Sequence, residues 1–315
     1  MSRELKGRSL LTLKDYTPEE IRRLLDVSVR VKKEKQEGER NQRFAEYTLA
    51  LIFEKRSTRT RCAFETAFGE EGGHPVFLSI SDIQLGAKES IEDTARVLGR
   101  MFDAIQFRGY KQSVVETLAE YSGVPVYNGL TDEYHPTQAL ADLMTVEETF
   151  GELKGRRIAF VGDGRNNVAR SLMIGCAKTG AHFTAVSPES LVPSKEIVEY
   201  CRNAAKETGS EISVVGDPGE GVSGADVIYT DVWASMGEEE KLKERKAVLG
   251  PYQITSDLMQ QTGRKDTIFM HCLPAVKGNE VTAEVIDGPQ SKAWDEAENR
   301  KHTIKALMLE TILGM

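Results

Sequence analysis

The sequence is poor in the features that mark disulfide-rich, metal-binding and membrane proteins. Its four cysteines are Cys62, Cys176, Cys201 and Cys272, and the absence of C-x-x-C spacing among them argues against a disulfide framework or a zinc cage. The five histidines show no metal-ligand spacing either. No apolar run approaches the roughly 20 residues of a membrane-spanning helix, and the first residues lack a secretory hydrophobic segment. We therefore expect a cytoplasmic protein without a membrane or metal partner.

Positive charge is also in the minority, because 41 Lys and Arg residues face 49 Asp and Glu residues and give a formal net charge of −8. This balance argues against nucleic acid or an anionic membrane as a partner of the surface as a whole. It leaves room for a local basic pocket. The 315 residues exceed what one compact core usually holds, so two domains are expected.

Short apolar runs alternate with longer helical patterns along the chain, which predicts an α/β protein with two Rossmann-like domains and parallel sheets flanked by helices. The predicted strands are Thr48–Phe53, Pro75–Leu78, Ala104–Phe107, Pro125–Tyr127, Arg157–Val161, Phe183–Val186, Glu211–Val215, Asp226–Tyr229 and Thr267–Met270. The glycine-containing segment Phe150–Arg157 is the predicted boundary. We expect a first domain over 1–150, a second over 151–294, and a last helix, about 295–315, that packs back on the first domain.

Unusual residues follow the apolar runs, at the strand ends where open parallel sheets bind ligands. The first run is followed by STRTR, and four cations lie within seven positions there: Lys55, Arg56, Arg59 and Arg61. Cations in the first turn of a helix are unfavourable by roughly 0.3–1 kcal/mol each, and such conflicts mark functional sites. With Ser57 as N-cap and Thr58, Arg59 and Thr60 as first helical residues, the segment predicts a phosphate site. A solvated basic loop is the alternative.

Two further clusters of the first half carry candidate polar groups. His135 precedes Pro136, a residue that suits the first position of a helix, and Gln138 lies in the first turn. A histidine beside the positive end of a helix should stay neutral and could polarise a carbonyl, although it could also simply cap the helix. Arg108, at a strand end, is a candidate oxyanion donor.

The second half offers candidates for a small polar ligand. In GDGRNN the third glycine of a dinucleotide fingerprint is replaced by Asn167, which favours a small ligand over a cofactor pyrophosphate. Asp231 follows a strand and could bind an ammonium group, while Ser235 and Met236 lie in a loop that could close over a ligand. A turn cap and a loop without a role are the alternatives.

The two remaining motifs, HCLP and DEAENR, give weaker indications of function. Cys272 suits an orienting role better than covalent catalysis, because its neighbour His271 should point away along a strand. Arg300, in the charged run DEAENR, is expected on a solvated helix face.

Taken together, these motifs resemble the carbamoyltransferase family, over nearly the whole chain. STRTR with HPTQ is similar to the carbamoyl-phosphate half shared across the family, and GDGRNN, DVWASMG and HCLP are similar to its ornithine branch. The resemblance implies transfer of a carbamoyl group from carbamoyl phosphate to the side-chain amine of L-ornithine, or the reverse, without cofactor or metal. It also implies a homo-oligomer, a trimer or an assembly of trimers, with active sites between subunits.

The resemblance also implies roles for individual residues. It assigns carbamoyl phosphate to Ser57, Thr58, Arg59, Thr60, Gln84, Arg108, His135, Gln138, Cys272, Leu273 and Arg300, with Gln84 donated by a neighbouring subunit. It assigns ornithine to Asn167, Asp231, Ser235 and Met236. The residues expected to act in catalysis are Arg108, His135, Asp231 and Cys272.

Three other functions stay open at this point. The GDG turn after a strand is compatible with a nicotinamide-dependent dehydrogenase, although Asn167 counts against it. A non-enzymatic sensor of an amino acid or phosphate could share the fold, but it would be expected to lack the anion-binding groups. A carbamoyltransferase for another amine, such as putrescine or an acylated ornithine, is the closest alternative.

Overall fold

The computed structural model describes residues 5–81, 83, 88–234, 240 and 242–315. The chain forms two compact units, one of Met1–Met144 with Glu298–Met315 and the other of Thr145–Ala297. The division therefore falls ahead of the segment Phe150–Arg157, and the domain ranges given above stay a prediction.

The first unit is built on a four-stranded parallel sheet of order β2-β1-β3-β4. Its strands are β1 (Thr48–Phe53), β2 (His74–Ser79), β3 (Ala104–Arg108) and β4 (Val126–Leu130). Its helices are α1 (Pro18–Gln36), α2 (Arg59–Gly69), α3 (Ile91–Leu98) and α4 (Gln112–Ser122), with the start of α5 (Pro136–Phe150). A 3-10 turn, Leu13–Asp15, precedes α1.

The second unit contains a five-stranded parallel sheet of order β7-β6-β5-β8-β9. Its strands are β5 (Arg157–Val161), β6 (His182–Val186), β7 (Ile212–Val215), β8 (Val227–Thr230) and β9 (Ile268–His271). Its helices are α6 (Asn167–Thr179), α7 (Lys195–Thr208), α8 (Pro218–Val222), α9 (Leu242–Leu249), α10 (Ser256–Gln260), α11 (Ala283–Ile286) and the start of α12 (Ala293–Met308). All nine predicted strands are confirmed; the largest difference is at β4, which was predicted to end at Tyr127 and ends at Leu130.

Most strand residues are apolar because helices cover both faces of a parallel sheet, and the polar residues, such as Arg108 and His271, lie mainly at strand ends. In β1 every residue after Thr48 is buried. Its Ala50 and Ile52 pack with Ile105 and Phe107 of β3 in the core of the first unit. The core of the second unit is likewise made by strand residues, such as Val161 and Ile228, packed with side chains of the surrounding helices.

The strand order places a switch point in each sheet, where consecutive connections leave in opposite directions. In the first sheet it lies between β1 and β3, whose last residues Phe53 and Arg108 are paired. In the second sheet it lies between β5 and β8. Ligands of open α/β sheets bind outside the carboxyl ends of the strands at such points, so each unit has one favoured edge.

The C-terminal residues belong to the first unit, as predicted for the last helix. A π-helical turn, Leu309–Leu313, follows α12. Thr311 of this turn contacts the rest of the first unit: its hydroxyl is hydrogen-bonded to that of Tyr127 at 2.7 Å, and its carbonyl accepts the backbone N–H of Gly7 at 2.7 Å. Among the described residues, no helix is both long and apolar enough to cross a membrane.

A network of ion pairs connects α12 to α1 and α2. Glu70 accepts hydrogen bonds from Lys35 at 2.7 Å and from Lys305 at 3.1 Å. Glu71 pairs with Arg43 at 2.7 Å and with Lys305 at 3.1 Å. Burial alone would raise the pKa of Glu70, but the lysine hydrogen bonds outweigh it and lower the pKa to about 2. The network therefore stabilises the fold only while Glu70 is ionised.

We expect Glu70→Gln to lower the free energy of unfolding at neutral pH by about 1–3 kcal/mol, the range for a hydrogen bond to a charged group. Because the folded-state pKa is depressed, this contribution is present above the usual value of 4.5 and is lost as the pH falls towards about 2. Urea unfolding of both proteins at a series of pH values measures it.

The matched control is Glu37→Gln, because Glu37 forms an exposed pair with Lys33 at 3.7 Å. Exposed pairs within one helix contribute only about 0.3–0.5 kcal/mol. If the difference in free energy of unfolding between Glu70→Gln and the parent protein stayed constant through the acid range, the role of the network would be contradicted.

Candidate active site

The stretch after β1 begins α2, as predicted, but one residue later. Thr58 already has helical torsion angles (φ −77°, ψ −56°) and is the N-cap position, with Arg59 as the first helical residue. The side chain of Ser57 nevertheless caps the helix, since its Oγ accepts the N–H of Thr60 at 3.1 Å. Ser57 therefore supplies the capping hydroxyl that the sequence predicted, and Thr58, whose torsion angles are already helical, lies at the boundary, where the assigned start of a helix varies by one residue.

Arg56, one of the four cations of this stretch, is exposed, and the other three divide into two kinds. Arg61 donates to Glu65 at 2.9 Å and stacks on Phe77, 3.7 Å from the ring centroid. Lys55 forms an ion pair with Asp132 and lies over the ring of Tyr110. Arg59 is half-buried and close enough to His135 to affect its pKa. Of these three, Arg59 is the one whose charge acts on the buried groups of the site.

Two arginines converge on the buried hydroxyl of Thr60. Arg108 donates to its Oγ1 at 3.2 Å and Arg300 at 3.1 Å. A hydroxyl has two lone pairs and one proton. With both lone pairs used by the guanidinium groups, the Thr60 hydroxyl has only its O–H left and can act towards a ligand only as a donor.

Arg300 corrects the expectation of a solvated helix face. It is 2% exposed and donates also to Gln138 Oε1 at 2.7 Å, while Gln138 Nε2 donates to Asp142 at 2.8 Å. Polar residues lie on both faces of this helix, so composition does not reveal which face is buried. Glu296, Asn299 and Arg300 are buried, whereas Trp294, Asp295 and Glu298 are exposed. Buried positive charge of this kind is costly unless an anion or strong hydrogen bonds compensate it.

The environment of His135 favours the neutral imidazole that the sequence predicted. It is 4% exposed, and burial, together with the charges of Arg300, Arg108 and Arg59, holds its pKa well below the usual value. The sequence argument relied on the helix end, whereas the structure shows that burial and three guanidinium groups carry the effect. A neutral imidazole has one N–H to donate, which adds a donor to the guanidinium groups of Arg108 and Arg300.

In the second unit, Asp231 follows β8 and is held by three donors. Its Oδ2 accepts from Asn166 Nδ2 at 2.8 Å. Its Oδ1 accepts from the N–H of Val232 at 2.8 Å and from the thiol of Cys272 at 3.1 Å. These bonds fix the half-buried carboxylate in one orientation, as a group that binds an ammonium requires.

The residues after β9 are positioned by His271, which does more than point away along the strand. Its Nδ1 accepts the N–H of Leu273 at 2.8 Å, so the ring proton is on Nε2, 3.4 Å from Glu280 Oε1. Leu273 has φ 60°, a left-handed conformation that costs about 1–3 kcal/mol in a residue other than glycine. The imidazole thus holds in place the backbone on which Leu273 lies.

Asp231, His271 and Cys272 also have the chemistry of a zinc ligand set, and one ligand atom from each lies within 4.8 Å of the others. Spacing in the sequence did not indicate this group, since Asp231 is far from the other two along the chain. The thiol already donates to the carboxylate and the imidazole Nδ1 already accepts from Leu273. The three side chains are therefore organised by hydrogen bonds to one another and to the backbone.

Other residues of the site were missed by the sequence argument. Asn166, next to the expected Asn167, caps α6 by accepting the N–H of Val168 at 2.7 Å and also holds Asp231; Asn167 is the first helical residue. Glu296 accepts the N–H of His271 at 3.0 Å and the hydroxyl of Tyr229 at 2.9 Å. The repeated asparagine was a usable signal, whereas nothing local marks Glu296. The predicted residues Gln84, Ser235 and Met236 lie outside the described residues.

Two family models match this chain and together cover most of it. The carbamoyl-P binding domain of aspartate/ornithine carbamoyltransferase matches residues 8–148, and the Asp/Orn binding domain matches residues 154–311. The chain belongs to the aspartate/ornithine carbamoyltransferase family. The arginine-rich site around Thr60 lies within the first match except for Arg300, and the site around Asp231 lies within the second.

Relatives are similar over their whole length. An ornithine carbamoyltransferase of Caldanaerobacter subterraneus subsp. tengcongensis is 68% identical over 313 residues, which are 99% of this chain and 100% of that protein. A catabolic ornithine carbamoyltransferase of Bacillus licheniformis is 53% identical, with 98% and 97% covered. The solved structure of the Pyrococcus furiosus ornithine carbamoyltransferase superposes with a TM-score of 0.96 at 47% identity, covering 99% of both chains.

Proposed function

We propose that the chain is an ornithine carbamoyltransferase, which transfers the carbamoyl group of carbamoyl phosphate to the side-chain amine of L-ornithine and yields citrulline and phosphate, or runs in reverse. The observation that carries this proposal is the pair of complementary sites at the two sheet edges. The first unit holds buried cations and donors suited to a doubly negative ligand. The second holds a fixed carboxylate suited to an ammonium group. Family membership supports the same assignment.

Carbamoyl phosphate occupies the start of α2. Its phosphate accepts from backbone N–H groups and hydroxyls of Ser57, Thr58 and Thr60, where the helix dipole is positive. Arg59 and Arg108 neutralise its charge as bidentate donors. Gln138 and Arg300, joined by a hydrogen bond of 2.7 Å, and the backbone around Leu273 contribute the remaining contacts, and Gln84 comes from a neighbouring subunit.

Attack on the carbamoyl carbon builds negative charge on the carbonyl oxygen, and the donors of the first unit stabilise it. Arg108, the N–H of neutral His135 and the O–H of Thr60 are such donors. In the structure Thr60 is turned into a donor by the two arginines that occupy its lone pairs. Loss of one donor to a developing oxyanion commonly costs about 10²–10³ in rate. Phosphate then leaves, its charge balanced by the start of α2.

Ornithine binds to the second unit. Its charged α-ammonium group is held by Asp231, and Asn167, Ser235 and Met236 contact the rest of the amino acid. The side-chain amine attacks only after it has lost a proton. Cys272, whose thiol donates to Asp231 at 3.1 Å, keeps the carboxylate oriented and lies beside that amine without protonating it. Neither a metal nor a redox cofactor takes part in these steps.

The assembly and location follow from the resemblance. The chain forms a homotrimer, or an assembly of trimers, in the cytoplasm, and each trimer interface brings Gln84 of one subunit to the site of another. Nucleic acid and membrane are not partners.

The assignment is tested by following phosphate release and the carbamoylated product with carbamoyl phosphate and, in turn, ornithine, putrescine and aspartate as amine. We expect turnover with ornithine at least about 10³-fold faster than with the other two, because putrescine lacks the α-amino acid group that the site is built to bind and aspartate lacks the side-chain amine that attacks. If putrescine were carbamoylated faster than ornithine, putrescine would be the substrate instead. Absence of turnover with all three amines would refute the function.

Turnover at subsaturating ornithine should rise with pH from mildly acid to mildly alkaline conditions. The side-chain amine of ornithine has a reference pKa near that of lysine, about 10.4. At pH values below this pKa, each increase of one pH unit raises the uncharged, reactive fraction of the amine about tenfold. His135 does not produce this rise, because its lowered pKa keeps it neutral over the whole range. Initial rates of citrulline formation between pH 6 and 9 measure it, and a flat profile would contradict an attacking amine.

Replacing Arg59 by alanine should weaken carbamoyl phosphate chiefly, by about 1.5–3 kcal/mol for a charge-assisted contact, or about tenfold to a hundredfold in KM. Arg61→Ala is the matched control from the same helix turn, since Arg61 is engaged by Glu65 and Phe77. KM and kcat for carbamoyl phosphate in both variants decide the matter. Equal effects of the two substitutions would remove Arg59 from the anion site.

A further inference from the structure

A fully buried carboxylate lies in α5, one helical turn beyond a residue of the anion site. Asp142 has no exposed surface, and it follows Gln138 by four positions, so the two side chains lie on the same side of the helix. A carboxylate that is withdrawn from water is costly unless charges or hydrogen bonds compensate it. No substrate contact is assigned to Asp142, so its burial needs another reason.

A chain of hydrogen bonds joins this carboxylate to the start of α2. Gln138 Nε2 donates to Asp142 Oδ1 at 2.8 Å, and Gln138 Oε1 accepts from Arg300 Nη1 at 2.7 Å. The other terminal nitrogen of the guanidinium group, Nη2, donates to Thr60 Oγ1 at 3.1 Å and to Thr137 Oγ1 at 3.4 Å. The carboxylate is therefore connected, through one amide and one guanidinium group, to the hydroxyl of Thr60.

The two ends of the chain fix the orientation of the amide between them. A guanidinium group only donates hydrogen bonds, so the atom of Gln138 that faces Arg300 is the oxygen. The nitrogen then faces Asp142, where a carboxylate oxygen accepts from it. A reversed amide would place N–H groups against the guanidinium group and an oxygen against the carboxylate. Asp142 thus favours the one orientation in which Gln138 can hold Arg300.

A pair that merely stabilises its own helix is the simpler interpretation. Glutamine and aspartate four positions apart do stabilise helices, but an exposed pair does so without the cost of burial. Here both side chains are buried, and the amide is also bonded to Arg300, 162 positions away along the chain. The pair therefore connects α5 to α12, and its effect reaches a residue that belongs to the anion site.

We propose that Asp142 is a positioning residue for carbamoyl phosphate. Its carboxylate holds the amide of Gln138, and the amide in turn holds the guanidinium group of Arg300 on Thr60. Asp142 acts through Gln138 and not on the substrate itself. The inference rests on the proposed function, which places Gln138 and Arg300 against carbamoyl phosphate, and it adds the group that orients both of them.

Two substitutions separate the role of the acceptor from that of the charge. Asp142→Leu removes the acceptor and keeps a side chain of similar size. We expect it to raise KM for carbamoyl phosphate about tenfold or more, the loss typical of one hydrogen bond to a charged group, and to leave KM for ornithine unchanged. In Asp142→Asn the amide oxygen can still accept from Gln138, so KM for carbamoyl phosphate should rise about threefold or less.

The same substitution in a Gln138→Ala background tests whether Asp142 acts through the amide. Once the amide is absent, Asp142→Leu should change KM for carbamoyl phosphate by less than about twofold, whereas independent effects would multiply. Asp226→Asn is the matched control, because Asp226 is also buried and accepts the N–H of Arg157 at 2.8 Å within the second unit. It should lower the melting temperature without changing KM for carbamoyl phosphate.

Initial rates of citrulline formation with one substrate saturating give both KM values, and melting temperatures show which variants are folded. If Asp142→Leu does not fold, Asp142→Ala replaces it with the same expectations. Absence of turnover by the parent protein would refute the proposed function itself. With an active parent, the proposal is overturned by an unchanged KM for carbamoyl phosphate, by equal rises of KM for both substrates, by an undiminished effect in the Gln138→Ala background, or by equal impairment of Asp142→Asn and Asp142→Leu.

Discussion

The candidate anion site of the first unit depends on positive charge that is held out of water. Arg108 and Arg300 both donate to the hydroxyl of Thr60, and both are at least nine-tenths buried. Like charges so close together in a medium of low dielectric are costly unless hydrogen bonds or an anion compensate them. Burial and the same charges lower the pKa of His135, so one electrostatic arrangement favours anions and the neutral imidazole together.

The second unit, which is also built on a parallel sheet, holds a carboxylate at the ends of its strands. Its carboxylate, Asp231, follows the strand next to the switch point and is held by Asn166 from the loop that follows the neighbouring strand. Cys272 reaches it from the end of β9. Each sheet thus brings its distinctive polar groups together at the carboxyl ends of its strands, where separate loops meet. Arginines are the buried charges at the first edge, and the fixed Asp231 carboxylate is the group held at the second.

Support for these residues comes from side chains that touch no reacting atom. Glu296 bridges the backbone of His271 and the hydroxyl of Tyr229, and His271 in turn holds the N–H of Leu273, whose backbone is in the left-handed region. A strained conformation persists only when its surroundings determine it fully. The buried Glu296 of α12 and His271 at the end of β9 therefore support the same region as the loops that carry Asp231 and Cys272.

The sequence by itself determined the strands and the alternating α/β order, because apolar runs that are covered on both faces can be recognised from the sequence alone. It also indicated where polar site residues lie, because the carboxyl ends of parallel strands meet at one edge of the sheet. It also indicated the anion site, since cations at a helix start are locally unfavourable. Only the tertiary structure decided that Arg300 is buried against Thr60, that Asn166 holds Asp231 and Glu296 holds His271, and that Thr60 can only donate. Each of these facts is a contact between segments far apart along the chain, and long-range contacts leave no local signal in composition or periodicity.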